Sequence, residues 1–443
     1  MLPELGGSTG FQPVHIPRRR GPPFGPEPSS EGKAKAVCAR RRLEPAARRS
    51  GEDASATRGM RDSQRETFSE RECESEMQKR RLGKTGLHVS IVGFGAIKLP
   101  GVDEQTAGRA LNRALDLGVN FIDTARGYGD SERKIGKTVG HRRGDFYLAT
   151  KTAERSAKGL ASELETSLRE LGTDCIDVYF LHSVSDRPTW NAVTAPNGAL
   201  EGAKRAKEQG KIRHISVSIH RDLNVMKAAI ESGEFDVIML AYSPVDSEDV
   251  GPAILPLAKQ HDLGVVIMKG LCGGALNSYR DDAGVEPRPE DPIVAGSLRH
   301  ILSNDAVTCV IPGMKAAWQV EQNAAVGRDF APMSEQELRD FTQRLGRLHK
   351  EFRYGQVCLR CGYCQPCQEG ILIPEIMRAM DIYQRYPDEL KQMAIDLYQS
   401  LALGPEACTE CGSCAEKCPA GLDIPARLKE AAELFAALTG QAR

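Results

Sequence analysis

The stretch Gly264-Val-Val-Ile-Met-Lys269 is apolar throughout its centre, which is typical of a parallel strand buried on both faces. Seven further short apolar runs alternate with amphipathic helical stretches between about residues 82 and 330. Eight strands that alternate with helices over about 250 residues favour an α/β protein with a closed (β/α)8 TIM barrel. A doubly wound sheet is the alternative, but the stretch Gly93-Phe-Gly-Ala96 lacks the G-x-G-x-x-G phosphate turn.

The predicted elements follow this alternation along the chain. The eight predicted strands are Val89–Gly95, Asn120–Thr124, Phe146–Lys151, Ile176–His182, Ile212–Ile219, Val237–Tyr242, Gly264–Lys269 and Val307–Pro312. The helices predicted between them include Glu104–Leu117, Leu160–Leu171, Ala199–Gln209, Leu223–Ser232, Pro252–His261 and Pro292–Leu302.

The composition shows no strong charge bias. The 443 residues include 59 lysines and arginines against 60 aspartates and glutamates, and they allow two or three domains at about 150 residues each. The net charge of −1 argues against a broad nucleic-acid-binding surface. No run of about 18 apolar residues could cross a membrane, and Arg18-Arg-Arg-Gly-Pro-Pro23 stands where a secretory signal would be apolar. We therefore expect a cytoplasmic protein without nucleic-acid or membrane partners.

Three segments divide the chain. Residues 1–76 are rich in proline and arginine and poor in apolar residues, which predicts a disordered tail. Contact of this basic tail with RNA or an acidic partner is the alternative, and Met77 is a second candidate for the translation start. Residues 77–350 hold the barrel. We expect residues 351–443 to form a small, mainly α-helical domain with predicted helices Pro374–Arg385, Asp388–Leu401 and Pro425–Leu438.

Polar side chains follow three neighbouring strands at their carboxyl ends, where barrels of this kind place catalytic groups. Strand two ends at Asp123 and its loop carries Tyr128, while strands three and four end at Lys151 and His182. A tyrosine titrates near about 10, and we expect the Lys151 ammonium to lower the pKa of Tyr128 toward the optimum for proton transfer. Asp123 would keep Lys151 charged, and His182 would orient a carbonyl oxygen.

Five stretches carry a resemblance to a known family: Gly93-Phe-Gly95, Phe121-Ile-Asp-Thr-Ala-Arg-Gly-Tyr-Gly129, Leu148-Ala-Thr-Lys151, Ile212-Arg-His-Ile-Ser-Val-Ser218 and Val310-Ile-Pro-Gly313. Together they resemble the aldo/keto reductases over about residues 82–330. The resemblance implies a barrel that binds a nicotinamide cofactor without a Rossmann turn. It also implies a catalytic tetrad of Asp123, Tyr128, Lys151 and His182, with Tyr128 as the general acid.

The same resemblance implies a cofactor site. Ser218, Met268 and Lys269 would lie by the nicotinamide, and the adenosine and its phosphate would be lined by Gly313, Met314, Lys315, Gln319, Gln322 and Asn323. Two positions depart from the family pattern, because Ile219 replaces an asparagine that grips the carboxamide and Lys269 replaces a stacking aromatic ring. The expected cofactor is NADP, with NAD as the alternative. Lys315 is either the partner of a 2′-phosphate or a solvated lysine.

Eight of the thirteen cysteines fall in two runs, which indicates metal binding rather than disulfides in a cytoplasmic chain. The spacings are C-x2-C-x2-C-x2-C in the first run and C-x2-C-x2-C-x3-C in the second. Three thiolates at such spacing can bind three corners of a [4Fe–4S] cluster while the distant run supplies the fourth. One cluster would be held by Cys358, Cys361, Cys364 and Cys418, and the other by Cys367, Cys408, Cys411 and Cys414.

An internal repeat links the two runs, because Cys367-Gln-Glu-Gly-Ile-Leu-Ile-Pro374 matches Cys418-Pro-Ala-Gly-Leu-Asp-Ile-Pro425. The arrangement resembles the ferredoxin-type dicluster domain in a helical variant appended to some aldo/keto reductases. The first run has two residues before its last cysteine and Gln368 where proline is usual, which leaves the fourth ligands open. Two tetrahedral zinc ions are the alternative. The remaining cysteines near strands are expected in the core: Cys175, Cys272 and Cys309.

Two functions remain open at this point. A hydride carries two electrons whereas a cluster passes one at a time, and we find no flavin-binding motif. The first hypothesis is an NADPH-linked reductase of a small-molecule carbonyl, whose clusters are structural or exchange electrons with a redox partner protein. The second is an electron-transfer or redox-sensing protein that uses the barrel to bind a nicotinamide. Specificity would depend on the loops Ser183–Asn197, with Trp190, and Leu276–Glu290.

Overall fold

The computed structural model describes residues 75–245, 249–274, 276, 292–345, 357–385 and 390–439. The tail predicted over residues 1–76 therefore lies outside the described residues, apart from its last two positions, and so does most of the predicted loop Leu276–Glu290. Eight parallel strands follow one another around a single sheet, and helices cover its outer face. The predicted (β/α)8 barrel and the small helical domain that follows it are confirmed.

The barrel strands lie where the β-branched runs predict them. Within the described residues they are β3 (Phe94–Gly95), β4 (Phe121–Asp123), β5 (Tyr147–Thr152), β6 (Ile176–Leu181), β7 (Ile212–Ile219), β8 (Val237–Ala241), β9 (Gly264–Met268) and β10 (Cys309–Val310). Parallel bridges from Val92 to Val310 and from Gly95 to Gly313 join the first strand to the last. These bridges close the sheet into a barrel.

The first predicted strand, Val89–Gly95, is divided in the structure. Its beginning belongs to β2 (His88–Ser90), which pairs antiparallel with β1 (Lys79–Arg81) outside the barrel. Leu82 and Val89 of this hairpin are fully buried against the apolar side chains inside the barrel. The prediction of one continuous strand is therefore wrong, because the apolar residues at its beginning cover the amino-terminal end of the barrel instead of entering its wall.

The helices pack apolar faces against the outside of the sheet. In the barrel they are α1 (Glu104–Asp116), α2 (Ser131–Val139), α3 (Ala157–Leu171), α4 (Arg187–Thr194), α5 (Ala199–Glu208), α6 (Leu223–Glu231), α7 (Val250–Ala253), α8 (Leu255–Gln260), α9 (Pro292–Leu302), α10 (Ala317–Arg328) and α11 (Glu335–Arg344). Side chains cap several of them; Asp103 accepts the Thr106 amide at 2.8 Å before α1. No helix in the described part of the chain is long and apolar enough to span a membrane.

Two predicted segments differ from the structure. The predicted helix Pro252–His261 is two short helices, α7 and α8, divided at Ile254, with Pro256 in the first turn of α8. Proline is tolerated in a first turn, where its missing N–H would have no helical partner. The predicted specificity loop Ser183–Asn197 contains α4, in which Trp190 packs on the outer core and contacts Phe235 at 6.3 Å between ring centroids.

The second domain is helical, and loops at the barrel mouth pack into its hydrophobic core. Its helices are α12 (Ile373–Arg385), α13 (Lys391–Ser400), α14 (Ser413–Glu416) and α15 (Ile424–Thr439). Its buried side chains form one cluster with Val245, Cys272 and Leu276 from loops at the barrel mouth. At Gly273, whose φ is +69°, an added Cβ would lie 2.5 Å from the Leu359 Cα. The second domain therefore packs closely over the carboxyl ends of the barrel strands.

Candidate functional site

Four polar side chains predicted from separate strand ends meet at the mouth of the barrel. Lys151 Nζ lies 2.6 Å from both carboxylate oxygens of Asp123 and donates to the Thr124 carbonyl at 2.6 Å. The same ammonium lies 5.2 Å from the centroid of the Tyr128 ring. The rings of Tyr128 and His182 are 5.9 Å apart and nearly perpendicular. The structure thus brings the four predicted catalytic residues into one site.

Hydrogen bonds hold the loop that carries Tyr128. The hydroxyls of Thr124 and Ser131, one before and one after the tyrosine, lie 2.9 Å apart and are buried. Arg126 forms an ion pair with the carboxylate of Glu132, which is itself fully buried. The phenol is therefore presented by a loop whose polar groups are paired on both sides, and its position at the mouth is well defined.

The charged pair in this site is almost completely buried. The side chains of Lys151 and Asp123 are 1% and 3% exposed. Burial lowers the pKa of Lys151 and raises the pKa of Asp123, and the contact between the two charges opposes both shifts. Burial, reinforced by the Lys151 charge, lowers the pKa of His182 well below its ordinary value. His182 is therefore a neutral imidazole at neutral pH.

The phenol of Tyr128 behaves differently from the sequence prediction. Burial of the hydroxyl raises the pKa of Tyr128 well above its ordinary value, and the neighbouring Tyr363 and Asp123 add to that rise. We expected the Lys151 ammonium to lower this pKa, but Asp123 lies against the ammonium and offsets much of its charge. Tyr128 is therefore fully protonated at neutral pH, which is the form that a proton donor needs.

A cavity of about 300 Å³ extends from the tetrad along the barrel mouth. Asp123 and Tyr128 line one end, and the wall includes five cationic side chains: Lys98, Lys269, Lys315, Arg360 and Arg378. Burial lowers the pKa of Lys98, and the nearby charges of Lys269 and Arg360 add to that effect. A cavity with several cationic side chains in its wall fits an anionic ligand such as a dinucleotide.

The cysteine thiols border two smaller cavities in the second domain. Each cavity is lined by cysteines from both runs, and Cys364 reaches both. Around the first lie Cys358, Cys361, Cys364 and Cys418, and around the second lie Cys367, Cys408, Cys411 and Cys414. The fold thus brings cysteines of both runs together around two cavities, and Cys364 borders both of them.

The thiol sets have the donor atoms of an iron–sulfur site. Among the residues that the structure describes, no three His, Cys, Asp or Glu side chains are close enough to share a single metal ion. Burial raises the pKa of Cys358 to about 12 and that of Cys364 to about 12, so both thiols stay protonated until a metal binds. Soft thiolates arranged around an apolar space are the ligands that iron–sulfur clusters use.

Comparison with known proteins agrees with this geometry. The profile of the aldo/keto reductase family matches residues 91–294. The aldo-keto reductase YhdN of Bacillus subtilis (strain 168) is 30% identical over 240 residues, which cover 49% of this chain and 70% of that protein. The chain belongs to the aldo/keto reductase family. It is thus an NAD(P)-dependent oxidoreductase by family.

Solved aldo/keto reductases share the barrel. The holo form of AKR11C1 from Bacillus halodurans is 30% identical, covers 61% of this chain and 96% of its own, and has a TM-score of 0.51. An aldo-keto reductase from Klebsiella pneumoniae in complex with NADPH is 23% identical, covers 60% of this chain and 95% of its own, and has a TM-score of 0.50. The second likeness shows the fold. Beyond the reductase barrel, the profile of the 4Fe-4S dicluster domain matches residues 355–422.

The cofactor residues implied by the aldo/keto reductase pattern divide into two groups. Five of them line the cavity at the barrel mouth: Met268, Lys269, Gly313, Lys315 and Gln319. Among the described residues that border this cavity, the other four are absent: Ser218, Met314, Gln322 and Asn323. Ser218 instead accepts a hydrogen bond from the Ser183 amide at 2.9 Å, and Met314 packs in the outer core. In this reductase, Ser218 thus supports the loop after β6.

Sequence reasoning missed two residues of the reductase site. His220 lines the cavity, whereas Ile219 packs in the outer core between strands and helices. Strand alternation could have found His220, because it directly follows β7 and lies two positions after Ser218, on the same side of an extended chain. Tyr363, between two cysteines of the first run, inserts its ring at the barrel mouth with its hydroxyl 3.0 Å from His182 Nε2. No local pattern signals this contact, which depends on how the two domains pack.

Proposed function

We propose that the protein reduces an aldehyde or ketone with NADPH by hydride transfer, with Tyr128 as the proton donor. The observation that carries the proposal is the meeting of Tyr128, Lys151, Asp123 and His182 beside the cationic cavity. A nicotinamide bound in its reduced form supplies the hydride that adds to the carbonyl carbon. The carbonyl oxygen then takes one proton, and the product is an alcohol.

The residues of the site have separate roles in proton transfer and in binding the carbonyl oxygen. Tyr128 holds the proton at its hydroxyl and passes it to the carbonyl oxygen as negative charge develops there. Lys151 lies 5.2 Å from the phenol ring and stabilises the phenolate that remains, while Asp123 keeps the lysine charged and fixed. The neutral imidazole of His182 donates a hydrogen bond that orients the same oxygen.

The residues that line the cavity support NADP as the bound cofactor. Met268 and Lys269 at the end of β9 would face the nicotinamide, and Gly313, Lys315 and Gln319 would hold the adenosine end. Lys315 is the cation in our proposal that meets a 2′-phosphate, which favours NADP over NAD. His220, which borders the cavity near β7, takes the side of the nicotinamide where many members have an asparagine.

The second domain has enough cysteines in two groups to bind two [4Fe–4S] clusters in our proposal. We assign one to Cys358, Cys361, Cys364 and Cys418, and the other to Cys367, Cys408, Cys411 and Cys414, because these sets surround the two thiol-lined cavities. Such clusters pass one electron at a time when bound. A redox partner protein with its own flavin would exchange single electrons with the clusters and electron pairs with the nicotinamide.

The proposed domain limits are 77–350 for the barrel and 351–443 for the cysteine domain, so that the tetrad lies in the first domain and both thiol sets lie in the second. The reduced thiols favour a cytoplasmic location.

The direct test follows NADPH oxidation with benzaldehyde under anaerobic conditions. We expect the wild-type chain to consume NADPH at the same rate as it forms benzyl alcohol. Tyr128→Phe should lower this rate by about 100-fold or more, since general acid catalysis contributes about that much. Its affinity for NADPH, followed by nicotinamide fluorescence, should stay unchanged. Equal rates in the two proteins would contradict the proposal.

A second function, electron transfer from a barrel that only binds the nicotinamide, is favoured by one contact. The hydroxyl of Tyr363 lies between Tyr128 and His182, which narrows the room for a carbonyl substrate. Electron paramagnetic resonance of the clusters after mixing with NADPH alone separates the two functions. A reduced-cluster signal without flavin would support electron transfer, and an unchanged spectrum together with aldehyde reduction would support the reductase.

A further inference from the structure

The ring of Tyr363 stands inside the reductase site although it comes from the cysteine domain. It stacks on Tyr128 with ring centroids 6.4 Å apart at 25°, and it meets His182 edge-on at 5.8 Å. Its hydroxyl lies 3.0 Å from His182 Nε2. The Tyr363 phenol thus lies against both side chains that the proposed mechanism assigns to the carbonyl oxygen.

We propose that Tyr363 is a plug that occupies the position of the substrate's carbonyl oxygen, so that substrates bind only in competition with it. The inference rests on the proposed function, because that function defines the position. His182 Nε2 makes one hydrogen bond, and in this structure its partner is the Tyr363 hydroxyl. A carbonyl oxygen that accepts from the same nitrogen must therefore displace the Tyr363 hydroxyl. A carbonyl compound therefore reaches the site only in the fraction of molecules in which the Tyr363 ring has withdrawn.

The two halves of the cysteine domain have the same backbone geometry between their cysteines, with a phenol in one half and a hydroxymethyl group in the other. Arg360 and Glu410 take the same left-handed conformation, and their amides both donate to the preceding cysteine sulfur at 3.4 Å. Gly362 and Gly412 follow with φ of 78° and 77°. The next residue is Tyr363 in the first copy and Ser413, Tyr363's counterpart, in the second. The repeat therefore keeps its backbone geometry with a small side chain at this position.

The plug connects the barrel to the ligand loop of the first thiol set. Tyr363 lies between Cys361 and Cys364, both of which line the first thiol cavity. The neighbouring Arg360 carbonyl accepts from Lys98 Nζ of the barrel at 3.4 Å. A ligand that displaces Tyr363 must move this loop, and thermodynamic coupling works in both directions. Carbonyl-site ligands should therefore perturb the spectrum of the metal-loaded cysteine domain.

The test measures binding of benzoate, whose carboxylate can accept from both Tyr128 and His182, to the metal-loaded full chain with NADP⁺. Calorimetry compares the wild type with Tyr363→Ser, the side chain of the other repeat, and with Tyr363→Phe, which keeps the ring. If the ring is withdrawn in about one tenth of wild-type molecules, the Kd for benzoate should fall about tenfold in Tyr363→Ser. Tyr383→Phe, which removes a phenol on α12 that packs on Phe435, is the control and should match the wild type.

Several outcomes would overturn the plug. Equal benzoate affinity in the wild type, Tyr363→Ser and Tyr363→Phe would do so when iron and sulfide contents per chain are equal. If Tyr363→Ser loses iron, Tyr363→Phe decides, because it removes the hydrogen bond that holds the ring at His182, so the ring should withdraw more often and the Kd for benzoate should fall. A visible circular dichroism spectrum of the clusters that benzoate changes in the wild type but not in Tyr363→Ser supports the plug. These readouts do not need turnover, so a failure of the reductase proposal would be recognised separately by the absence of benzyl alcohol.

Discussion

The hydroxyl of Tyr363 lies 3.0 Å from Nε2 of His182, although 181 residues separate them in the chain. One residue belongs to a cysteine run and the other follows a barrel strand. Their contact joins the two parts of this aldo/keto reductase at its candidate active site. The dicluster domain, which packs over the barrel mouth, thus contributes a side chain to the candidate site.

The buried ion pair predicts a specific pattern of stability. Asp123→Leu leaves the Lys151 ammonium buried without its partner, which should lower the free energy of unfolding by about 3–5 kcal/mol. The double variant Asp123→Leu/Lys151→Met should lose less than the single variant, because no unpaired charge remains. Urea denaturation of the wild type, Asp123→Leu, Lys151→Met and the double variant measures the cycle. The exposed pair of Lys259 and Asp305 is the control, and its removal should have little effect. A double variant less stable than Asp123→Leu would contradict this assignment.

The lowered pKa of His182 predicts a loss of stability in acid. Between that value and the unfolded value of about 6.5, the unfolded chain binds one proton more than the folded chain, so the free energy of unfolding rises with pH by up to about 1.4 kcal/mol per unit. His182→Gln removes this contribution, and its stability should fall less steeply from about pH 6.5 to 5. Urea midpoints across this range measure the slope, with the exposed His261→Gln as control. Identical slopes in all three proteins would show that His182 does not resist protonation.

The cofactor preference depends on Lys315 in our account. Lys315→Ala should raise the Kd for NADPH by about 10- to 100-fold, as expected for the loss of a hydrogen bond to a charged group, and leave the Kd for NADH unchanged. Nicotinamide fluorescence titrations measure both constants. Lys158→Ala, at an exposed position of α3 distant in sequence from the site, is the matched control. Equal affinities for NADPH before and after the substitution would mean that Lys315 is merely solvated.

The exchange of ligands between the two cysteine runs can be tested by iron content. Cys367→Ser should lower the iron per chain from about eight to about four, since each cubane holds four irons. Adding Cys411→Ser should cause little further loss because both residues belong to the same set, whereas adding Cys361→Ser should remove the second cluster as well. Cys175→Ser, a buried cysteine outside the runs, is the control. If Cys361→Ser rather than Cys411→Ser caused no further loss, Cys367 would belong to the first set.

Local sequence patterns predicted most of the fold. Parallel strands are buried on both faces, so apolar runs such as Val265–Met268 mark them directly. The exception, Val89–Gly95, is apolar for two different reasons, since Val89 covers the end of the barrel and Phe94 enters its wall. Periodicity alone cannot distinguish these environments, because both remove the side chain from water.

The site was predictable where each residue could be assigned to a strand end. Asp123, Lys151 and His182 follow from strand order, because parallel strands bring their carboxyl ends to one mouth. The shift in the pKa of Tyr128 was not predictable. Burial of the hydroxyl raises this pKa, whereas the Lys151 ammonium was expected to lower it, and the effect of burial is the larger. Tyr363 was not predictable either, because its position results from packing between domains.

The most direct test of the account follows deuterium from NADPH labelled at both C4 positions into benzaldehyde. The wild-type chain and Tyr363→Ser should both form benzyl alcohol that carries one deuterium, and Tyr363→Ser should form it faster. Tyr128→Phe should form the labelled alcohol at least about 100-fold more slowly than the wild type. Mass spectrometry of the alcohol measures the label. Oxidation of NADPH with a reduced-cluster signal and no labelled alcohol from any of these proteins would contradict the account.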